Sequence, residues 1–99
     1  MSMHFVTHPW QVEDVDDGTV VKLSERDLQD SSLTDDLLEL FLESGRPNLY
    51  LDLIEVQTLS STVASKLFRL DQRLHESRGR LVLCNLASPL SEALQARNA

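Results

Sequence analysis

The sequence predicts an α/β domain in which helices alternate with the strands of a mixed β-sheet, in the order β-β-α-β-α-β-α. Three observations lead to this prediction. An Asp-Asp-Gly turn at 16–18 separates two short stretches that are typical of strands. Two apolar segments, 49–54 and 80–86, have the length and composition of buried strands. Between them lies the strongly amphipathic segment 61–78, which is long enough to be the crossover helix of a βαβ unit.

The first part of the chain is predicted to be an antiparallel hairpin at one side of the sheet. Residues 10–15 alternate apolar and polar side chains, as a half-buried strand does. Asp17-Gly18 is a strong turn signal, and residues 19–23 follow as the second strand. The polar segment 24–33 is then interpreted as a loop.

A first helix is predicted to begin near residues 32–34 and to end at Ser44-Gly45. Ser32 or Thr34 can cap its N-terminus, and two aspartates after the cap suit the positive end of the helix dipole. Pro47 prevents continuation of the helix. The next segment, 49–54, is nearly all apolar, which favours a central strand covered on both faces.

The helix at 61–78 has the clearest pattern in the sequence. Its apolar face repeats at spacings of four, three and four residues, through Val63, Leu67, Leu70 and Leu74. Ala64 and Phe68 are expected to widen this face, and Gly79 follows the helix. The connection predicts that strands 49–54 and 80–86 are parallel.

The C-terminal part of the chain supplies a further buried strand at 80–86 and a last helix that Ser88-Pro89 opens. With 99 residues in total, we expect one domain over 1–99.

Composition and charge indicate a globular domain and disfavour some classes of partner. Hydrophobic residues make up 41% of the chain and charged residues 25%, which is ordinary for a globular domain. The net charge of −7 disfavours nucleic acid and anionic membrane as partners. No apolar run approaches the length of a membrane-spanning helix, and no secretion signal is recognisable, so we expect a cytoplasmic protein without membrane insertion.

The charge is unevenly distributed. Residues 1–55 hold 13 acidic and 3 basic residues, a sum of −10, whereas residues 56–99 hold 3 acidic and 6 basic residues, a sum of +3. The basic half is consistent with a surface that meets an acidic partner. Pairing with the chain's own acids is the alternative.

Residues suited to catalysis or metal binding are sparse. His4, His8 and His75 lack the spacing of metal ligands, and the lone Cys84 can form neither an internal disulfide nor a CxxC site. Cys84 falls in a predicted buried strand, where a packed thiol is expected. We therefore expect no enzyme activity, no metal and no cofactor.

The start of the helix at 61–78 is the exception. Ser60, Ser61 and Thr62 place three hydroxyls where a strand leads into a helix. Ligands of α/β sheets usually bind at this end of the strands, and the free N–H groups of a helix N-terminus tolerate a phosphate. Helix capping is the alternative, although it needs one hydroxyl and not three.

The stretch from Leu49 to Leu94 resembles the STAS domain of anti-sigma-factor antagonists. Asp52 lies where the family has an aspartate in its apolar strand, residues 59–67 resemble the Asp-Ser-Ser/Thr-Gly-Leu motif with the start of its helix, and residues 79–86 resemble the next strand. Two positions depart from the motif, because Ser60 replaces its aspartate and Val63 its glycine. The resemblance also implies a further strand and helix after Ala96, so the sheet is expected to be one strand short.

The resemblance implies a regulatory module that binds a protein partner through the N-terminal end of the helix at 61–78. The partner would be an anti-sigma factor or serine kinase, and a homodimer is a further option. Ser61 and Thr62 match the hydroxyl residues that such a kinase phosphorylates. Ser60, Lys66 and Arg69 are added as candidate contact residues. The alternative is an unphosphorylated STAS subunit of a larger assembly, such as a lipid-transport ABC system or a signalling scaffold.

Overall fold

The computed structural model describes residues 10–97, with side chains as far as residue 92, and contains a four-stranded mixed sheet in the order β1-β2-β3-β4. Strand β1 (Gln11–Val15) pairs antiparallel with β2 (Gly18–Lys22). Strand β2 pairs parallel with β3 (Asn48–Asp52), which in turn pairs parallel with β4 (Arg80–Cys84). The predicted hairpin at one side of the sheet and the parallel arrangement of the two later strands are confirmed.

Within residues 10–97, four helices accompany the sheet: α1 (Glu25–Leu28), α2 (Leu33–Ser44), α3 (Ser61–Glu76) and α4 (Ser88–Arg97). The loop prediction for 24–33 is wrong over four residues, because α1 occupies part of it. A capping box explains this helix, since Ser24 and Asp27 satisfy each other's backbone N–H groups. A single turn is too short to show an apolar repeat in the sequence.

One hydrophobic core lies between the sheet and helices α2 and α3. It contains the predicted apolar face of α3 together with side chains from β2, β3, α1, α2 and α4, among them Val21, Leu28, Leu37, Phe41, Leu49, Leu51 and Leu90. Strand β3 is buried on this face alone, because Tyr50 and Asp52 on its other face are half-buried. The predicted burial of this strand on both faces is wrong, and the sequence Asn-Leu-Tyr-Leu-Asp in fact alternates.

The two edge strands are less buried than the sequence predicts. Strand β1 is exposed over most of its length, with Val12 44% exposed, so it is not the half-buried strand that was expected. Strand β4 is half-buried and not fully buried, because it has a neighbour on one side only within the described chain. Phe68 is 63% exposed and lies outside the core, contrary to its predicted place on the apolar face of α3.

The ends of α2 match the predicted positions, but its cap differs. Gly45 follows the helix with φ 68°, a left-handed conformation that glycine adopts without strain. Ser32 stands at the N-cap position but makes no capping bond to the backbone. Its hydroxyl instead contacts the carboxylates of Asp30 and Asp36, at 2.8 and 3.0 Å.

Gly79 is predicted to tolerate no side chain, because a Cβ atom there would overlap the ring of buried Phe41. Gly79→Ala should lower the free energy of unfolding by about 1–3 kcal/mol, as overpacking of a core does. Gly45→Ala is an informative comparison, since no atom lies near its Cβ position and only the positive φ is penalised. Urea denaturation of both variants measures the free energy of unfolding. If Gly79→Ala left this free energy unchanged, the ring of Phe41 would have to move aside without cost.

Candidate functional site

The site is built on the N-terminus of α3, where Ser60 is the capping residue. Its Oγ accepts a hydrogen bond from the backbone N–H of Val63 at 3.1 Å, and its carbonyl accepts from the N–H of Ala64 at 2.9 Å. Ser60 has the extended backbone typical of an N-cap, with φ −71° and ψ 161°. The first of the three predicted hydroxyls therefore has a structural role.

The other two hydroxyls have no such role. Ser61 and Thr62 form the start of α3, and both are exposed. Within the described part of the chain, no hydrogen bond holds either side-chain hydroxyl. The two groups are therefore available to another molecule at a helix end whose N–H groups and dipole favour negative charge.

Residues 53–60 form the loop that presents these hydroxyls, and the loop is held in place by buried side chains and by backbone hydrogen bonds. Leu53 and Val56 are fully buried. One carboxylate oxygen of Glu25, at the start of α1, accepts from the N–H groups of Gln57 and Thr58 at 2.9 and 3.4 Å. The sequence analysis missed Glu25, because its partners lie 32 and 33 residues away in the chain and no local pattern connects them.

An ion pair also connects this loop to the sheet. Lys22 Nζ lies 3.2 Å from Glu55 Oε2, and both side chains are partly exposed. Such a pair adds at most about 1 kcal/mol to stability, so its main effect is to orient the loop. Between these anchors Ile54 is 48% exposed, and it places an apolar side chain at the surface that sequence analysis did not single out.

The two predicted basic contact residues lie further along α3. Thr62, Lys66 and Arg69 follow each other at spacings of four and three, so they share one side of the helix. Lys66 is half-buried and Arg69 is exposed. The structure therefore brings Thr62 and both bases to one side of α3, with Ser61 at its tip.

Cys84 is only half-buried, because β4 is an edge strand. Its thiol donates to the carbonyl of Leu51 at 3.5 Å. Burial raises the pKa of the Cys84 thiol, and the nearby Asp52 carboxylate raises it further. A raised pKa leaves less of the nucleophilic thiolate at neutral pH.

The titratable groups of the described residues include no cluster suited to a metal ion. Across residues 10–97 the structure gathers no group of three or more His, Cys, Asp or Glu side chains suited to a metal ion. His75 is exposed near the end of α3, whereas His4 and His8 lie outside the described residues. In the same part of the chain no helix has the length and apolar character needed to cross a membrane.

Replacing the cap residue should destabilise the domain more than replacing its neighbour. Ser60→Ala removes the acceptor for the Val63 N–H, so we expect a loss of about 1 kcal/mol in the free energy of unfolding. Ser61→Ala removes no hydrogen bond within the described chain and should change stability by less than about 0.5 kcal/mol. Equal losses in chemical denaturation would contradict the assignment of Ser60 as the cap.

Comparison with known proteins agrees with this architecture. The family model for the STAS domain matches residues 17–98. The NMR structure of the protein TM1081 superposes with a TM-score of 0.76 at 17% identity, covering 99% of this chain and 80% of that one. A serine-to-glutamate variant of RsbS from Moorella thermoacetica superposes with a TM-score of 0.70 at 18% identity, covering 89% and 78% respectively. No curated protein sequence matches the chain. The family match spans most of the sequence, so the chain belongs to the STAS domain family.

Proposed function

We propose that this domain is a regulatory protein-binding module of the anti-sigma-factor-antagonist type, which meets its partner through the N-terminal end of α3. The observation that carries the proposal is that the three neighbouring hydroxyls at residues 60–62 have different roles. Ser60 caps the helix, while Ser61 and Thr62 are exposed and have no structural hydrogen bond. Hydroxyls exposed on a rigid helix end are suited to recognition, because their position is fixed before binding.

The anchoring of loop 53–60 supports the same surface. The loop is held to α1 by Glu25 and to β2 by the Lys22–Glu55 pair. A partner would therefore meet Ile54 and Ser61 in a preformed arrangement, with an apolar side chain beside polar ones. Lys66 and Arg69 add positive charge along α3, which suits an acidic region of a partner protein.

Phosphorylation of Ser61 by a partner serine kinase is the switch that we propose for this module. A phosphate would add about −1.5 to −2 charges at the positive end of the helix dipole. The fold would tolerate this charge, whereas a partner surface packed against Ser61 would not. Thr62 is the neighbouring candidate acceptor.

The serine at position 60 bears on this switch. Asp and Ser are both good N-cap residues, so Ser60 preserves the capping role that an aspartate would also perform. It does not preserve the negative charge beside the phosphoacceptor. The neutral side chain of Ser60 favours the second candidate function, in which the domain binds without phosphorylation. In that case it would be a STAS subunit of a larger assembly, such as a lipid-transport ABC system or a signalling scaffold.

We expect neither function to involve catalysis or a cofactor. The hydroxyl–carboxylate contacts of Ser24 and Ser32 belong to the starts of α1 and α2, and the raised pKa of Cys84 disfavours its thiolate. A cytoplasmic location, where kinases and anti-sigma factors act, is part of the same proposal.

Recovery of the partner from the source cells tests the proposal. Tagged wild type, Ser61→Ala and Ser61→Asp are used as baits, and the recovered wild-type chain is analysed by phosphosite mass spectrometry. We expect wild type and Ser61→Ala to retain a regulator that Ser61→Asp loses, with phosphate on Ser61 or Thr62. Equal recovery by all three baits and no phosphate would favour the assembly subunit instead.

A further inference from the structure

The C-terminal end of α3 is closed by a Schellman motif in which an arginine occupies the position that glycine usually fills. The N–H of Arg78 donates to the carbonyl of His75 at 3.0 Å, and the N–H of Gly79 donates to the carbonyl of Leu74 at 2.7 Å. Arg78 has φ 61°, in the left-handed region that a residue with a Cβ atom adopts only at a cost. The adjacent glycine stands one residue later, where a Cβ atom would overlap the ring of Phe41.

Helix stability does not explain the arginine at position 78. A positive charge is favourable near a helix C-terminus, but Arg73 and His75 already supply basic side chains in the last turn of α3. The side chain of Arg78 is exposed, and no ion pair or hydrogen bond holds its guanidinium in the described part of the chain. A strained residue whose side chain stabilises nothing within the fold points to a role outside the fold.

Arg78 borders a groove at the end of the sheet where β3 and β4 begin. The groove has a volume of about 420 Å³, and it is lined by Pro47, Asn48, His75, Arg78, Gly79 and Arg80. None of these residues is acidic. Arg80 is exposed as well, and its guanidinium makes no ion pair with the described residues. The groove is therefore basic, on a chain whose net charge is −7.

The acidic side chains beside the groove already have partners. Arg46, next to Pro47 in the chain, lies 3.3 Å from a carboxylate oxygen of Asp14. The hydroxyl of Tyr50 donates to the carboxylate of Asp17 at 3.0 Å. The chain's own acids thus pair with some of its bases, but the described residues leave the charges of Arg78 and Arg80 uncompensated.

We propose that this groove binds an acidic segment of a protein partner, with Arg78 and Arg80 each engaging a carboxylate and His75 donating a further hydrogen bond. The planar fork of a guanidinium matches the two oxygens of a carboxylate. An extended segment fits better than a small anion, because the basic groups are exposed along an open groove. Small-ligand sites instead enclose the ligand among convergent polar groups.

The backbone holds both arginines in place before binding. Arg78 is fixed by the hydrogen bonds of the Schellman motif, and the N–H of Arg80 donates to the carbonyl of Pro47 at 2.8 Å. A preformed arrangement lowers the entropy cost of association. The groove and Ser61 lie at opposite ends of α3, roughly 24 Å apart at 1.5 Å per residue, so two different proteins can occupy them together. The proposal therefore does not depend on the partner that we propose for Ser61.

Fluorescence anisotropy with the purified full chain tests this proposal. The probe is a labelled short peptide of alternating glutamate and serine, measured at low ionic strength, where charge pairs are least screened. We expect Arg78→Gly to raise the dissociation constant of the peptide at least about tenfold, because a charge-assisted contact is lost. The same variant should raise the urea midpoint, since glycine adopts the left-handed conformation without strain. An arginine with a purely structural role would instead lower the urea midpoint when it is replaced.

Two controls separate this groove from a general effect of charge. Arg26→Gln removes an equal charge from the exposed surface of α1, at the other end of the sheet, and should leave the affinity unchanged. Arg80→Gln should weaken binding as Arg78→Gly does. A peptide with glutamine in place of glutamate should not bind.

Three results would overturn the proposal. The first is that the wild-type chain does not bind the glutamate peptide. The second is that Arg26→Gln and Arg78→Gly weaken binding equally, which would mean that net charge controls the interaction. The third is that inorganic phosphate displaces the peptide at the peptide's own concentration, which would make the groove a site for small anions.

Discussion

Replacing Leu67 with alanine is expected to lower the free energy of unfolding by about 2–5 kcal/mol. Leu67 is 4% exposed and packs in the core that α3 shares with the sheet. Truncation removes buried apolar surface and leaves a cavity, because close-packed neighbours relax only in part. Small domains have about 5–15 kcal/mol of total stability, so the loss should be visible as a large shift of the urea midpoint.

The next residue along the helix is the matched control. Phe68→Ala removes a larger side chain, yet one that is 63% exposed in the single chain. This substitution should lower the free energy of unfolding by less than about 0.5 kcal/mol. If Leu67→Ala cost less than Phe68→Ala, α3 would face the sheet with a different side.

The contrast between these two residues shows where sequence reasoning about the fold succeeds and fails. The spacing of Val63, Leu67, Leu70 and Leu74 gave the buried side of α3 correctly, because a helical repeat determines the centre of an apolar face. Its width depends on what lies beside the helix. Phe68 would be covered only if another element lay outside β4, and a local pattern carries no information about that neighbour.

Burial of the strands failed for a related reason. Strands β3 and β4 were both predicted to be fully buried, because their sequences are rich in leucine and valine. Strand β3 is interior, but its second face, with Tyr50 and Asp52, is only half-buried. Strand β4 is an edge strand of the described sheet and remains half-buried for that reason. The order of strands is a tertiary property that hydrophobic composition does not encode.

Part of the candidate site was predictable and part was not. The run Ser60-Ser61-Thr62 before an apolar repeat is a local capping signal, and the helix begins at Ser61 as that signal predicts. The loop in front of it depends on Glu25, which reaches Gln57 across more than thirty residues. Contacts of this kind follow from the packing of α1 beside the sheet, and so they appear only in the three-dimensional structure.

Introducing a charge at Ser61 is expected to weaken partner binding strongly while leaving the fold intact. With the identified partner, Ser61→Asp should raise the dissociation constant of the complex by roughly 30-fold or more. This factor corresponds to about 2 kcal/mol, as expected for an unpaired charge buried in an interface. Stability should change by less than about 0.5 kcal/mol, because an acidic residue in the first turn interacts favourably with the helix dipole. Titration calorimetry and urea denaturation measure the two effects separately.

Ser77→Asp is the matched control for this prediction, because it adds the same charge at the other end of α3, beyond Glu76. That position lies roughly 24 Å along the helix from Ser61, at 1.5 Å per residue, so partner binding should be unchanged. Its stability should fall slightly, by about 0.3–1 kcal/mol, since a negative charge is unfavourable at a helix C-terminus. Equal weakening of binding by both variants would mean that net charge controls the interaction and that the N-terminal end of α3 is not the contact surface. Loss of binding by Ser61→Asp alone, with an unchanged urea midpoint, is the result that the exposed position of Ser61 predicts.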